Sequence, residues 1–395
     1  MKNAMVKLSA LAALLLLPSF VFAAETTVPV TVKLYGYTKL DVIYATQRTG
    51  FGDLNFYLLP TVAGQTQSSL NITARDTRFG LDLQGPSGDE WKTTGKIELD
   101  FYTLNFGGGN ENSVAPRIRL SYVDLAYKNG FSIRAGQDWD AFITVNPKMI
   151  DAGFMGGFGH LYNRRPMVKV TQVVNVENVT VTARLAAARM IGQNTDAGGI
   201  EDGGTDSGQP MMEGALFADR KLWTSKPARL SVSGHTGTET HYTAASAILA
   251  LTDPNLQNYN TQSLIGGFIL PLTEMVSVQG TIWQGADLRP FYGGVYQGVN
   301  TALRQSIESK GGWAQVVTNI TPAVNVNVGY GSDDPNDSNL NAGDRTFATR
   351  AFASVYYQLN SSVSLACEYS NVSTGYKYST TANGEIYQAS TVYKF

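Results

Sequence analysis

The chain of 395 residues has a single cysteine, Cys367, and only three histidines, His160, His235 and His241. A lone cysteine forms no disulfide within the chain, even in an oxidising compartment that would permit one. Cys367 keeps phase with Val363, Leu365 and Tyr369, as a small packed or lipid-facing side chain does, rather than a reactive thiol. The histidines are expected in long loops. They lack metal-ligand spacing and have no accompanying carboxylate cluster, so neither a metal centre nor any other cofactor is expected. The chain also lacks a basic excess: 30 Lys and Arg stand against 32 Asp and Glu, with no basic run. Nucleic acid is thereby excluded as an obvious partner. Beyond the first two dozen residues no segment reaches 18 apolar residues, which excludes helical membrane spanning. Gly107–Gly109 has no strand–helix context and is no phosphate cradle.

What is present begins with a leader. Lys2 and Lys7 supply a positive start, Leu8 to Phe22 an apolar core broken only by Ser9, Pro18 and Ser19, and Val21-Phe22-Ala23 a small-residue cleavage site. Residues 1–23 are therefore read as a signal peptide and residues 24–395 as the exported domain. Without the two leader lysines, 28 basic residues face 32 acidic ones, about −4. A hydrophobic content of 43% with a mean hydropathy near zero suits a wall that is wet on one face only. The 20 Tyr suit interfacial girdles, and the 40 Gly suit turns and strand bends.

Alternation of polar and apolar residues gives the architecture. Val179, Val181, Ala183 and Leu185 oppose Thr180, Thr182 and Arg184; Asn325 and Asn327 alternate with valines; Lys96-Ile-Glu-Leu-Asp-Phe101 alternates charge with apolar bulk. Charges at every second position do not suit a sandwich core, but they can line a wet lumen. The pattern predicts sixteen strands near 31–45, 68–84, 91–105, 117–128, 131–138, 164–175, 178–190, 210–220, 227–238, 261–271, 274–284, 308–320, 322–332, 347–359, 361–372 and 384–395. Tight turns such as Lys128-Asn129-Gly130 alternate with long links, of which 46–67, 139–163 and 285–307 are examples. The expected fold is all-β: a closed transmembrane antiparallel β-barrel with short periplasmic turns, long extracellular loops and no second domain. In the last strand Tyr387, Ala389, Thr391, Tyr393 and Phe395 share one face. The terminal Tyr393 and Phe395 look like the signal by which the barrel assembly machinery recognises outer-membrane barrels.

Leu34 to Tyr44 resembles the first strand of Gram-negative porins. Thr73-Ala-Arg-Asp-Thr-Arg-Phe-Gly80, Gly95 to Tyr102, Pro116-Arg-Ile-Arg-Leu-Ser-Tyr122 and Ile133-Arg-Ala-Gly-Gln-Asp-Trp139 are similar to the DcaP-like porins. The likeness is dense from Val32 to about Thr171 and diffuse beyond. It implies an outer-membrane channel among lipids, assembled as a homotrimer and passing dicarboxylates or other small anions. General and phosphate-selective porins are neighbouring alternatives. Only a few residues separate Ala24 from the first strand, so the coiled-coil stalk of that family is not expected.

The resemblance also implies that the loop Asp140 to Asn163, rich in glycine and apolar residues, folds inward as a constriction, with Lys148 and Asp151 on it. A basic wall should face it. Arg78, Lys96, Arg117, Arg119, Arg134, Lys169 and Arg184 lie on charged phases, with Arg164 and Arg165 at the loop exit; Ile118 and Leu120 are expected to point away from the lumen. Asp82, Glu98, Asp100 and Asp138 are the acidic lumen candidates. Rings of Arg and Lys favour anions, although the same arginines could serve as structural partners of Glu98 and Asp100. Two rival functions are a barrel phospholipase, which would need a Ser–His pair at the lipid interface, and a loop-based receptor or adhesin. Acidic stretches at Asp333–Asp337 and Glu201–Asp206 are read as solvated loops in preference to calcium sites.

Overall fold

A computed structural model describes residues 30–61, 67–102, 114–192, 203–241 and 257–395. The leader, Gly107–Gly109 and the start of Glu201–Asp206 lie outside the described residues. Sixteen antiparallel strands form the wall: β1 (Thr31–Ala45), β2 (Ser69–Thr73, resuming as Arg78–Ser87), β3 (Trp91–Asp100), β4 (Arg117–Tyr127), β5 (Phe131–Trp139), β6 (Arg164–Val176), β7 (Val179–Ala188) and β8 (Met211–Lys221). They continue as β9 (Pro227–His241), β10 (Gln257–Pro271), β11 (Val276–Ala286), β12 (Glu308–Asn319), β13 (Val324–Pro335), β14 (Arg345–Gln358), β15 (Val363–Tyr376) and β16 (Ala382–Lys394). Each strand pairs with its sequence neighbours, and β1 pairs with β16 from Tyr37 opposite Lys394 to Ala45 opposite Ile386. That pairing closes the sheet, so no edge faces lipid.

The wall obeys the period of two. On β13, Val328 and Tyr330 are exposed while Asn325 and Asn327 are buried. Leu230 and Ile282 are more than 70% exposed, which only a hydrocarbon surrounding makes favourable. Cys367 is likewise exposed on the outer face. Aromatic pairs mark the two interfaces: Trp91 with Tyr127 at the short-turn end, and Tyr387 with Tyr44 and Tyr369 at the long-loop end, centroids 4.9, 6.4 and 5.3 Å apart. The terminal residue is stitched to β1 by Gly36 N–H to Phe395 O and Phe395 N–H to Gly36 O, both 3.2 Å. A Cβ at Gly36 would sit 2.2 Å from the Arg78 carbonyl oxygen, so the close passage of β1 and β2 requires glycine there.

Three local expectations are corrected. The second strand is not continuous: residues 74–77 bulge out of the ladder between the two halves of β2, opposite β1. In β4 the register slips, with Glu98 opposite Leu120 but Leu99 opposite Ile118, leaving Arg119 as the extra residue of a bulge. The alternation therefore changes phase, and Leu120 is buried rather than pointing away beside the exposed Ile118. His235 and His241 lie on β9, not in loops; only His160 is in one.

The upper lumen is filled by loops. Besides residues 140–163, the loop after β1 turns in as a small hairpin (Thr49–Phe51 with Leu54–Leu58), and the loop after β11 turns in through Leu288, Phe291 and Val295. These apolar side chains join Phe142, Met155 and Phe158 of the 140–163 loop and wall residues Trp283, Trp313 and Phe352 in continuous buried clusters. The apolar residues of the loops thus supply a core that a hollow barrel would lack.

Candidate functional site: a loop-lined constriction

Residues 140–163 run around the inner wall, and each step is fastened to a different strand. Ala141 N–H donates to Glu213 on β8. Thr144 Oγ1 meets Ser231 Oγ of β9 at 2.7 Å, and Arg229 donates to the Thr144 carbonyl at 2.9 Å. Gln279 of β11 donates to the Asn146 carbonyl, and Lys148 N–H to Gln315 of β12, both 2.8 Å. Ile150 N–H donates to Glu368 of β15 at 2.7 Å. Asp151 is bound by Arg350 of β14, which also holds Glu368 at 3.0 Å, and by Asn55 at 3.0 Å. The loop is thus anchored mainly along β8–β15, with Lys39 of β1 also donating to the Ile150 carbonyl at 3.2 Å, and the β1–β6 side is the less anchored one.

On that side the charges interlock. Arg117 grips Asp100 with two bonds of 2.8 Å; Arg119 reaches Glu98 at 2.8 Å and Asp100 at 2.7 Å. Lys39 joins Asp76 at 2.8 Å and Asp41 at 3.2 Å, while Arg78 lies 3.4 Å from Asp76 and 3.7 Å from Glu98. The bulge at residues 74–77 delivers Asp76 to Lys39, and the β4 bulge turns Arg119 toward Glu98. Arg164 differs. Among the described residues it has no carboxylate partner; its guanidinium lies 4.8 Å from the Trp139 ring, and its buried Nη1 has no hydrogen-bond partner. Lys39, Arg78, Arg117, Arg119 and Arg164 thus stand against Asp41, Asp76, Glu98 and Asp100, and Arg164 is the excess positive charge.

Arg164 opens onto a cavity of about 20 Å³ walled by Leu54, Phe56, Asp76, Tyr102, Arg117, Arg119, Trp139, Ala152, Phe154, Tyr162 and Tyr292. That volume holds about one water. A larger cavity of about 480 Å³ lies toward the short-turn end, lined among others by Lys39, Arg78, Lys148, Met149, Asn325, Tyr356, Gln358 and Ser390. The two share Asp76, Ala152 and Phe154 as lining residues, so the small cavity adjoins the large one.

Of the residues singled out from sequence, Arg78, Glu98, Asp100, Arg117 and Arg119 come together in one ion-pair cluster beside the smaller cavity, and Lys148 lines the larger one. Arg134 sits apart, bonded to Asp124 and Asp138 at 2.8 Å, and Asp138 also holds Lys169. Lys96 pairs with Asp82 at 2.6 Å. Arg165 is buried behind the loop against Asp140 at 2.6 Å, and Asp151 is turned into the wall. Arg184 donates to the Ile143 carbonyl at 3.2 Å. Asp333 points inward, accepting from Ser309 at 2.7 Å, while Asp334 pairs with Lys310, so the two do not converge. Lys39, Asp76 and the aromatic wall formed by Phe56, Tyr102, Phe154 and Tyr292 escaped the sequence reading. Two signals were available: the Trp139 and Tyr162 that bracket the loop, and the repeated aromatics of Phe51–Tyr57 and Phe291–Tyr296.

Comparison with known proteins agrees with this fold. The sequence model of a family described as Gram-negative porin matches residues 10–377. The outer membrane channel DcaP of Acinetobacter baumannii superposes with a TM-score of 0.70 at 20% identity, covering 94% of this chain and 99% of its own. An anion-selective porin from Comamonas acidovorans gives 0.58 at 12%, covering 93% and 100%, and OmpT of Vibrio cholerae, in a trimer form, 0.57 at 13%, covering 93% and 99%. Among curated proteins none matches the sequence.

Proposed function

The chain belongs to the Gram-negative porins, and from that premise we propose that it is a passive diffusion channel for small hydrophilic solutes with a preference for small anions such as dicarboxylates. The observation that carries the preference is Arg164, a cation with no carboxylate partner among the described residues, beside a small cavity on a wall where five cations stand against four carboxylates. A partly desolvated cation close to the ion path changes the energy of a passing ion by on the order of 1 kcal/mol, in favour of anions. Arg184 and Lys148 extend the positive character below, bonded through carbonyl and ring contacts in place of carboxylates. The printed description of the Comamonas relative as anion-selective supports the same reading. The pairing of Arg117 and Arg119 favours a second, weaker reading, a general porin with slight selectivity.

The protein is placed in the outer membrane by its family, and fold and family point to a channel rather than an enzyme. Export through cleavage of residues 1–23, recognition of Tyr393 and Phe395 by the barrel assembly machinery, and assembly as a homotrimer belong to the proposal. The trimer form of the Vibrio cholerae OmpT relative supports the last. Planar-bilayer recording in a salt gradient tests the function. Discrete steps with a reversal potential on the anion-selective side are expected; steps with a reversal potential at zero or on the cation side would remove the anion preference, and insertion without steps would remove the channel.

A further inference from the structure

Asp76, Ala152 and Phe154 line both the small cavity and the large one, and Phe154 is the bulkiest of the three. Its ring packs edge-on to Tyr162 at 5.9 Å and to Trp139 at 6.5 Å, bridging the loop to the wall that carries Arg164. The backbone beneath it is unusual. Phe154 and Met155 are consecutive non-glycine residues at positive φ, 44° and 61°, a region that costs a bulky side chain energy and that persists only when surroundings enforce it. Enforcement is visible. His160 Nδ1 lies 2.8 Å from the Phe154 carbonyl oxygen, to which it donates. Phe154 N–H donates to the Asp151 carbonyl at 3.2 Å, and the Tyr162 hydroxyl donates to the Gly153 carbonyl at 2.7 Å.

Strain held in place where a cavity large enough for about one water adjoins a much larger one argues for a role in the passage. We infer that Phe154 is a shutter: its ring sets the open area of the channel, while Arg164 sets the sign of the ions that cross. The inference rests on the porin reading above and adds a size-determining residue to it. Solutes larger than water pass when the ring turns from Trp139 and Tyr162 toward the roughly 480 Å³ cavity below, a side-chain movement that leaves the strand-anchored loop where it is.

The test is single-channel recording of the wild type, Phe154→Gly, Phe154→Cys and Arg164→Gln, the cysteine variant in a Cys367→Ser background. Glycine removes the ring and is at home at positive φ, so folding is preserved. Phe154→Gly should raise conductance roughly twofold or more, because the narrowest section governs resistance, with the reversal potential little changed. Phe154→Cys should also conduct more than wild type, and labelling it with an aromatic thiol reagent in the inserted channel should return the conductance toward the wild-type level. Wild-type conductance in both variants, with cysteine labelling verified by mass and without effect, would overturn the shutter. A shifted reversal potential in Arg164→Gln together with that result would leave the anion reading standing. An Arg164→Gln channel with unchanged selectivity beside a widened Phe154→Gly channel would do the reverse.

Discussion

The two sides of the lumen hold charge in different ways. On the β1–β6 side, partners are close neighbours in the sheet: Arg117 and Asp100 face each other directly across β3 and β4, and Arg119 and Glu98 sit beside them. On the β8–β15 side, wall charges are matched by the loop: Arg350 by Asp151, Glu368 by the Ile150 amide, Glu213 by the Ala141 amide. The first arrangement builds a rigid charged surface facing the passage. The second spends its charges on fixing a loop whose position defines the passage. One side faces the solute, and the other positions what faces the solute.

The largest effect is expected where the loop-holding side is broken. Arg350→Met removes the group that joins Asp151 to Glu368 and leaves two enclosed carboxylates without their cation. Loss of one partner in such a cluster costs about 3–5 kcal/mol. The variant should unfold at lower temperature in detergent and show a noisier, larger conductance as the loop loosens. A thermal transition and conductance equal to wild type would mean that the loop is held by its apolar packing alone.

This contrast also explains what could be read from the sequence. Alternation placed all sixteen strands within a few residues, because a one-residue error would send lysines such as Lys96 into lipid. Cross-strand pairing was accessible too, since Arg117 and Asp100 sit at facing ends of consecutive strands. The bulges at residues 74–77 and at Arg119 were not accessible, because a bulge shifts phase without altering composition, and Leu120 was assigned to the wrong face for that reason. Loop-to-wall contacts were equally hidden. Asp151 and Arg350 are 199 residues apart, and nothing local in either segment names the other. Arg164 was visible as a charge at the loop exit, but its lack of a partner emerges only when every neighbouring carboxylate has been assigned.

A smaller effect is expected from pH. Burial lowers the His160 pKa to about 4 from an ordinary value near 6.5, so the folded loop holds the neutral ring. Between about pH 6.5 and 4 the unfolded chain binds the proton that the folded one refuses. Stability from this group is therefore full above about pH 6.5 and falls as the pH drops toward about 4, by on the order of 3 kcal/mol at most. Thermal unfolding of the wild type should show this decline across that window, and His160→Gln should show less of it. Equal slopes in the two proteins would assign the decline to other groups.

The charged side offers the mildest perturbation. Glu98→Gln with Arg119→Gln removes one charge of each sign, leaving the excess on that wall unaltered. Its reversal potential should stay near wild type, within the scatter of repeated insertions, although thermal stability should fall by about 1–2 kcal/mol from the lost charge-assisted bonds. A marked swing toward cations would show that Arg119 acts on the ions as a free charge despite its partners.

The anion preference rests above all on Arg164. In a salt gradient at low ionic strength, where screening is weak, Arg164→Gln should cut the ratio of anion to cation permeability by roughly fivefold, the equivalent of about 1 kcal/mol, and the difference should shrink as salt is raised. An Arg164→Gln channel with the wild-type reversal potential at low salt would contradict the claim that this cation sets the preference.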